Sequence, residues 1–512
     1  MKLGIDFGTT RIVVAAADRG NYPVLSFDDA EGQPREWIPA LAAVRGPEMR
    51  FGWAAAAVAA DPSWTLLRSL KRLLESAGPA TRVAVGSTEY LLLDLLTGLA
   101  MAIRGGLRPD VHQVFLGVPA NSNSNQRFLT GEAFRRAGFA VLGLLNEPSA
   151  AGLEYMHASR RADGAPAASP ECESLLIYDL GGGTFDASRV VLRSGEQEVV
   201  ATESISTLGG DDFDEVIAEM ALPDGQLDRL GPGAHFRLLE QCRELKEALT
   251  PNSRRLLVET DHGPVTITVA DYYDRCRPLI DETLHAVDDL LLDANGAPPD
   301  VLYVTGGASE LPLVSRMLRE RFGRRVKRSA YTRAATAIGL AIQADGAGGF
   351  TLRERFSRYF GVWREADCGT RIIFDPIFAK GTILPRPGEP ALVRQRTYSP
   401  AHNIGHFRYL EATALGPHGE PAGNLTLWDE ILFPFDPALS GVDQLSPAAV
   451  CHSSVAQQQE IVEAWSCDEN GVVEVSIENR TAGYSRRYRL GRWNHEAAPA
   501  KPVRSTRRKV KV

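Results

Sequence analysis

The sequence predicts an α/β unit followed by a mostly β unit. Three observations carry that expectation. Up to about residue 345, short buried strands alternate with segments of helical period. Two of those strands end at a carboxylate and run into a Gly/Thr turn, Gly4-Ile5-Asp6-Phe7-Gly8-Thr9-Thr10 and Tyr178-Asp179-Leu180-Gly181-Gly182-Gly183-Thr184-Phe185-Asp186. Past Asp345-Gly346-Ala347-Gly348-Gly349, the best linker candidate, apolar runs become short and are separated by Gly and Pro turns.

Residues 3–5 and 12–16 read as buried strands flanking the first turn. Residues 65–75 read as a helix, with Leu66, Leu67, Leu70, Leu73 and Leu74 on one face and Lys71 and Arg72 beside it. Val114–Val118 is a buried strand ended by Pro119, and a helix carrying Gln126 and Arg127 follows. Residues 163–170, rich in Ala, Pro and Gly, read as a surface loop. Leu175–Tyr178 is a strand entering the second turn, 235–249 has helical period, and 301–305 is an apolar strand entering Gly306-Gly307. In the second unit the clearest element is a hairpin over 460–479, turning at Asp468-Glu469-Asn470-Gly471, where Asn-Gly favours a tight turn. Val473, Val475 and Ile477 share one face of its second strand, and Glu474, Ser476 and Glu478 the other. Residues 501–512 carry six positive charges and no negative ones, and read as a solvated tail.

Composition excludes several classes. At 512 residues, 44% hydrophobic and 23% charged, the chain reads as soluble, globular and about three domains long. A net charge of −8 argues against a general nucleic-acid binder. None of the six cysteines forms a Cys-x-x-Cys pair, so reduced thiols in a cytoplasm are expected. No secretory apolar core follows Met1-Lys2-Leu3-Gly4-Ile5-Asp6, and 91–103, interrupted by Asp94 and Thr97, is too short to span a membrane. With no Gly-Lys dipeptide there is no P-loop, and no Gly-x-Gly-x-x-Gly follows a strand. His402 and His406 are four apart, but Ile404-Gly405 between them favours a loop or strand over a zinc pair.

The two Gly/Thr turns carry the chemistry. Small residues let backbone N–H groups approach an anion, and Thr9, Thr10 and Thr184 can donate to phosphate oxygens. Aspartates beside a polyphosphate commonly hold Mg²⁺ through its waters. A lone Asp-x-Gly-Thr is an ordinary turn, but two of them point to related halves clasping one phosphate chain. A third turn, Val304-Thr305-Gly306-Gly307-Ala308-Ser309, suits the backbone approach of a nucleoside.

In order and near-family spacing, these motifs resemble the ATPase domain of the heat-shock-70 (DnaK-like) chaperones, within the actin/hexokinase-like fold. The connecting segments are Val118-Pro119-Ala120, Gln126-Arg127, Asn146-Glu147-Pro148-Ser149-Ala150-Ala151 and Leu208-Gly209-Gly210-Asp211-Asp212-Phe213-Asp214. Ser69-Leu70-Lys71-Arg72-Leu73 looks like the segment bearing the catalytic lysine. The resemblance implies an α/β, two-lobed ATPase over 1–345, a linker over 346–362, a β-sandwich substrate-binding-like domain over 363–492 and a basic tail over 493–512. It implies binding of ATP or ADP with Mg²⁺ and weak turnover of ATP and water to ADP and phosphate. Lys71 would orient the attacking water. Asp6, Glu147 and Asp179 would surround the Mg²⁺, and Asp186 would position water or ion. Gly8, Thr9, Thr10, Gly181, Gly182, Gly183 and Thr184 would take the phosphates. Gly209, Gly210, Lys246, Thr250, Gly306, Gly307 and Ala308 would shape the nucleoside side.

The same resemblance exposes departures. Arg243 stands where the family has a glutamate that reaches the ribose, and Glu247 where some members pack an arginine on the adenine. At i and i+4 of one helix the two are expected to pair with each other. Glu310 stands where many members have another base-side arginine, and Arg333 where an aspartate is common. Weaker nucleotide affinity than usual is the expectation. Pro376–Pro385 and the 460–490 region resemble the family's peptide-binding sandwich more loosely. The family's leucine-rich linker strip is replaced by Gly348–Phe356, where only Phe350, Leu352 and Phe356 are available to dock. About 20 residues follow Leu490, too few for a helical lid, so fast peptide exchange is expected. The implied partners are unfolded or extended polypeptide, a J-domain co-chaperone and a nucleotide exchange factor, in a cytoplasmic setting without nucleic acid or membrane. Two other readings remain: an ATP-dependent scaffold with one dedicated protein client, and a small-molecule kinase of the same fold.

Overall fold

The computed structural model describes residues 1–494 apart from 86–87, 111, 163–172, 194–195, 224, 293–297, 347–350, 367–370, 387, 429, 443 and 490–491. The expected loop at 163–170, Phe350 and most of the linker glycines, and the tail from 495 onward lie outside the described residues.

Strand Lys2–Phe7 is apolar on one side at Leu3, Ile5 and Phe7 and small on the other at Gly4, and it is buried between layers. It pairs antiparallel with Arg11–Ala16 across the first Gly/Thr turn and parallel with Gln113–Val118. Ala140–Asn146 and Ile38–Pro39 complete a five-stranded sheet. The second lobe repeats the plan. Glu173–Leu180 pairs antiparallel with Phe185–Arg193 across the second turn and parallel with Val301–Thr305. The duplicated turns therefore belong to duplicated sheet topology.

The lobes meet through helices Glu147–Ala162 and Ala335–Asp345. The second is buried nearly all round, as its Ala- and Ile-rich sequence demands. A Cβ at Gly339 would lie 1.8 Å from Ala150 O, and one at Gly4 would lie 2.2 Å from Ala337 O, so this crossing requires glycine at both positions.

One expected helix is corrected. Thr65–Arg68 is a strand paired with Leu41–Arg45, and only Leu70–Leu73 is α-helical before a 3₁₀ turn at Leu74–Ser76. Ser69, at φ 53°, separates the two. Leu66 packs beside Trp64 while its neighbour Leu67 packs on the main core of the first lobe. That is the two-residue period of a strand, hidden in a leucine-rich run that also satisfies a helical period.

Beyond Asp345 the chain returns to the second lobe. Thr351–Arg353 joins its sheet as a parallel edge strand beside Glu196–Glu198, where Leu352 packs on the core. The next strand, Tyr359–Ala366, belongs to the second unit. That unit holds a four-stranded antiparallel sheet (371–378, 359–366, 409–415, 421–427) and a five-stranded one (392–398, 461–467, 473–479, 484–489, 492–494). Both sheets contribute to one aromatic core, including Phe360, Tyr409, Trp428 and Trp465. Phe356 is buried in that core rather than docked on the first unit. The expected hairpin forms, strand Ile461–Cys467 against Val473–Asn479, with Val473, Val475 and Ile477 inward. Gly471, at φ 71°, makes the turn.

The second unit rests on the first. Asn470 Oδ1 accepts from Leu144 N at 2.9 Å, and Asn470 O accepts from Arg127 Nη1 at 3.0 Å. Ser124 N donates to Glu411, and Arg358 Nη1 donates to Asn121 O at 3.3 Å. Among the described residues Cys242, Cys276, Cys451 and Cys467 are free thiols, and no helix is long and apolar enough to cross a membrane. His406 lies in a strand 3.3 Å from Glu430, whereas His402 stacks on His452.

Candidate functional site

A cleft of about 380 Å³ opens between the lobes at the C-terminal ends of the two central strands. Register puts Asp6 at the end of one strand and Asp179, opposite Asp186, at the end of the other. Glu147 starts the helix that follows Ala140–Asn146, and Lys71 comes from the short helix after Ser69. All five side chains line the cleft. Lys71 Nζ meets Glu147 Oε1 at 2.5 Å, and Ser204 Oγ donates to Asp186 Oδ1 at 2.5 Å.

Gly8, Thr9, Thr10, Gly181, Gly182, Thr184, Gly210, Lys246, Gly306, Gly307 and Ala308 line the same cleft. Gly183 and Gly209 sit behind it, packed on each other, since a Cβ at Gly209 would lie 2.6 Å from the Gly183 backbone. Thr250 is not brought there. It is exposed beyond helix Pro232–Glu247, where its backbone N–H donates to Ser253 Oγ. Gly306 takes φ 83°, which turns the chain back beneath Leu180 O and Asp179.

Electrostatics mark the floor of the cleft. Burial, helped by Glu147, pushes Asp6 up to about 7. Burial and Glu147 push Asp186 up to about 6, and burial with three neighbouring carboxylates holds Asp179 well above its ordinary value. Burial alone would lower Lys71, but Glu147, Asp6 and Asp186 outweigh it and keep the ammonium protonated. Four carboxylates thus face one lysine, a site short of positive charge. Hard oxygen donors and a cation deficit fit Mg²⁺. Among the described residues no three such side chains converge tightly enough to hold an ion alone, so an ion held here would need further oxygen ligands from outside the protein.

The side of the cleft expected to face a nucleoside is built from ion pairs. Glu247 binds Arg11 of the first lobe at 2.7 Å and Arg333 at 2.9 Å, and Arg333 also binds Glu310 at 2.7 Å. Arg243 does not pair with Glu247. It faces Glu240 at 2.9 Å, Asp211 at 3.5 Å and Asp214 at 3.7 Å, while Lys246 holds Asp214 at 2.7 Å. The expected i,i+4 pair does not form, because Arg243 is held by Glu240 on its own helix and by Asp211 and Asp214 on the helix Gly210–Ala221, while Glu247 is held by Arg11 and Arg333.

Sequence reading missed three residues here. Arg11 crosses between the lobes and lies 4.3 Å over the Trp37 ring. Trp37 itself lines the cleft mouth. Arg72 reaches Gly183 O through Nη2 while its buried Nε has no partner. The one available signal was the arginine beside each of the motifs Thr9-Thr10 and Lys71.

Residues 84–354, more than half of the chain, match the profile of the family described as Hsp70 protein. The chain belongs to the Hsp70 family. It is similar to the chaperone protein HscA of Serratia proteamaculans, 33% identical over 368 residues, which cover 67% of this chain and 57% of that protein. An HscA homolog of Colwellia psychrerythraea is 31% identical over 371 residues, 67% of this chain and 58% of the relative. The HscA of Proteus mirabilis is 33% identical over 373 residues, with coverage of 67% and 57%. The chain spans 57–58% of the length of these relatives. The two turns and the Lys71–Glu147 pair line one cleft, and Glu310 pairs with Arg333 beside it.

Proposed function

We propose that this chain binds Mg·ATP between its lobes, hydrolyses it slowly, and uses the cycle to gate polypeptide binding by its β-unit. One observation carries the reading: Lys71 and Glu147 joined at 2.5 Å amid Asp6, Asp179 and Asp186, between two Gly/Thr turns. Asp6, Glu147 and Asp179 would hold Mg²⁺ through its waters, and the bound ion neutralises charge on phosphate oxygens. Lys71 keeps its proton and so stays cationic beside the terminal phosphate, where it stabilises developing charge and orients water. Asp186, fixed by Ser204, positions that water. Thr9, Thr10 and Thr184 donate to phosphate oxygens. Water oxygen bonds to the terminal phosphorus as the bond to ADP breaks.

We divide the chain for this role into 1–345, a linker, a β-domain through 492 and a tail. The edge strand Thr351–Arg353 and the Asn470 contacts support coupling of the β-unit to the nucleotide lobes by a shift between two domain arrangements. J-domain and exchange-factor partners follow from family membership. A second reading, a scaffold with one dedicated client, is favoured by the interior of the β-unit, where Arg364 binds buried Glu463 at 2.9 Å among Tyr398, Tyr409 and Trp465.

The deciding experiment follows dissociation of a fluorescent apolar peptide with ATP and with ADP. Faster release in ATP supports the chaperone cycle. Peptide binding indifferent to nucleotide, or none, transfers the case to the scaffold.

A further inference from the structure

A second cavity, about 440 Å³, adjoins the nucleotide cleft at its phosphate end. Thr9, Lys71, Thr184 and Asp186 are walls of both. Its far wall belongs to the β-unit, which contributes Arg358, Lys380, Thr413, Ala414 and Asn424. It is therefore complete only while the β-unit is docked.

The lining is that of an oxyanion site. Beside the Glu147-paired Lys71, Arg72, Arg358 and Lys380 outnumber the carboxylates Asp186 and Glu203, and hydroxyls of Thr184, Thr202, Ser204 and Ser206 lie among them. Arg72 is the pivot. Its guanidinium covers Gly183, where a Cβ would lie 3.0 Å from Nη2 and 3.2 Å from Nε, and that buried Nε has no hydrogen-bond partner in the protein. Nη2 is spent on Gly183 O, and Arg72 brings its charge to the cavity wall. Arg358 is held by Asn121 O and Asn424 O, so its charge is fixed at the domain joint.

We infer that this cavity is a binding site for inorganic phosphate, the station through which the cleaved phosphate leaves the nucleotide cleft beneath the docked β-unit. The inference rests on the proposed ATP hydrolysis for its biological sense, but the site itself is testable without turnover.

The test titrates inorganic phosphate into the full chain by calorimetry, with saturating Mg·ADP and without nucleotide. Lys380→Glu and Ala414→Glu are the variants, since both positions are exposed, lie in the β-unit and stand outside the nucleotide cleft. Each introduces a like charge beside the anion and should weaken phosphate binding at least about tenfold while leaving Mg·ADP affinity unchanged. Equal phosphate affinity in all three proteins overturns the site, because phosphate then binds only in the nucleotide cleft. No saturable phosphate binding overturns it as well. A chain that binds phosphate in a Lys380-dependent way but takes no Mg·ADP keeps this site and loses the nucleotide reading.

Discussion

Glu310 and Arg333 form a 2.7 Å ion pair on the side of the cleft proposed to take the nucleoside, with the opposite charge order to that expected of the family. Two departures that look like separate losses in the sequence are thus one reciprocal exchange. Glu247 extends the chain of charges to Arg11 in the other lobe. The positions where a base-side guanidinium is expected, 247 and 310, carry carboxylates, and both are committed to Arg333. Restoring the family's order with Glu310→Arg and Arg333→Asp together should strengthen ATP binding about fivefold over Glu310→Arg alone, the worth of one recovered cation–π contact. Calorimetry decides it. Equal affinity for the single and double variants would remove the pair from the account of nucleotide binding.

Lys71 is the only cation the floor of the cleft sets against Asp6, Glu147, Asp179 and Asp186 among its described lining. Lys71→Ala should slow single-turnover ATP cleavage at least about a hundredfold, with nucleotide affinity changed far less, since the lysine acts where charge develops. A parallel loss of affinity and rate would instead make it a binding residue.

How much of this was legible depends on the range of the interactions. The duplicated turns, the Asn470-Gly471 hairpin and the inward Val473, Val475 and Ile477 are local patterns, and they form as read. The 65–75 segment misled because leucines satisfy two periods at once, and the choice was made by Leu41–Arg45 alongside. The Arg243–Glu247 pair misled for a similar reason. Local spacing permits it, but Arg11, 236 residues from Glu247 in the chain, wins the carboxylate. Arg72 stayed hidden because nothing in its neighbours foretells that Gly183 would come beneath it.

Arg127 ties the β-unit to the floor of the cleft. It is buried, donates to Asn470 O at 3.0 Å and to Asn146 Oδ1 at 2.6 Å, and Asn146 immediately precedes Glu147. Asn146 also donates to Glu354, which follows the edge strand Thr351–Arg353. Arg127→Met keeps bulk and removes the bonds. It should cost the joint about 1–3 kcal/mol, seen as faster hydrogen exchange in the 468–471 turn and in Ala140–Asn146. ATP-dependent peptide release should weaken with it. Unchanged exchange in both segments would mean that Ser124, Glu411 and Arg358 hold the joint without Arg127.

Asp214 offers the cleanest pH signature. It is almost fully buried, and burial pushes it up to about 6 although Lys246 and Arg243 stand beside it. The folded chain thus binds this proton more tightly than the unfolded chain does, whose aspartates titrate near 3.9. Asp214's titration therefore contributes stability that is full below about pH 4, is lost as pH rises through about 6, and is flat beyond. Across that window the wild type should lose about 1–3 kcal/mol relative to Asp214→Asn, which has no proton to lose. Urea melts of both proteins between about pH 4 and pH 7 measure the difference. A stability gap that stays constant, or widens in favour of the wild type as pH rises, would mean that Lys246 holds Asp214 ionised throughout. The pair would then be a buried salt bridge whose attraction exceeds the cost of burying the carboxylate.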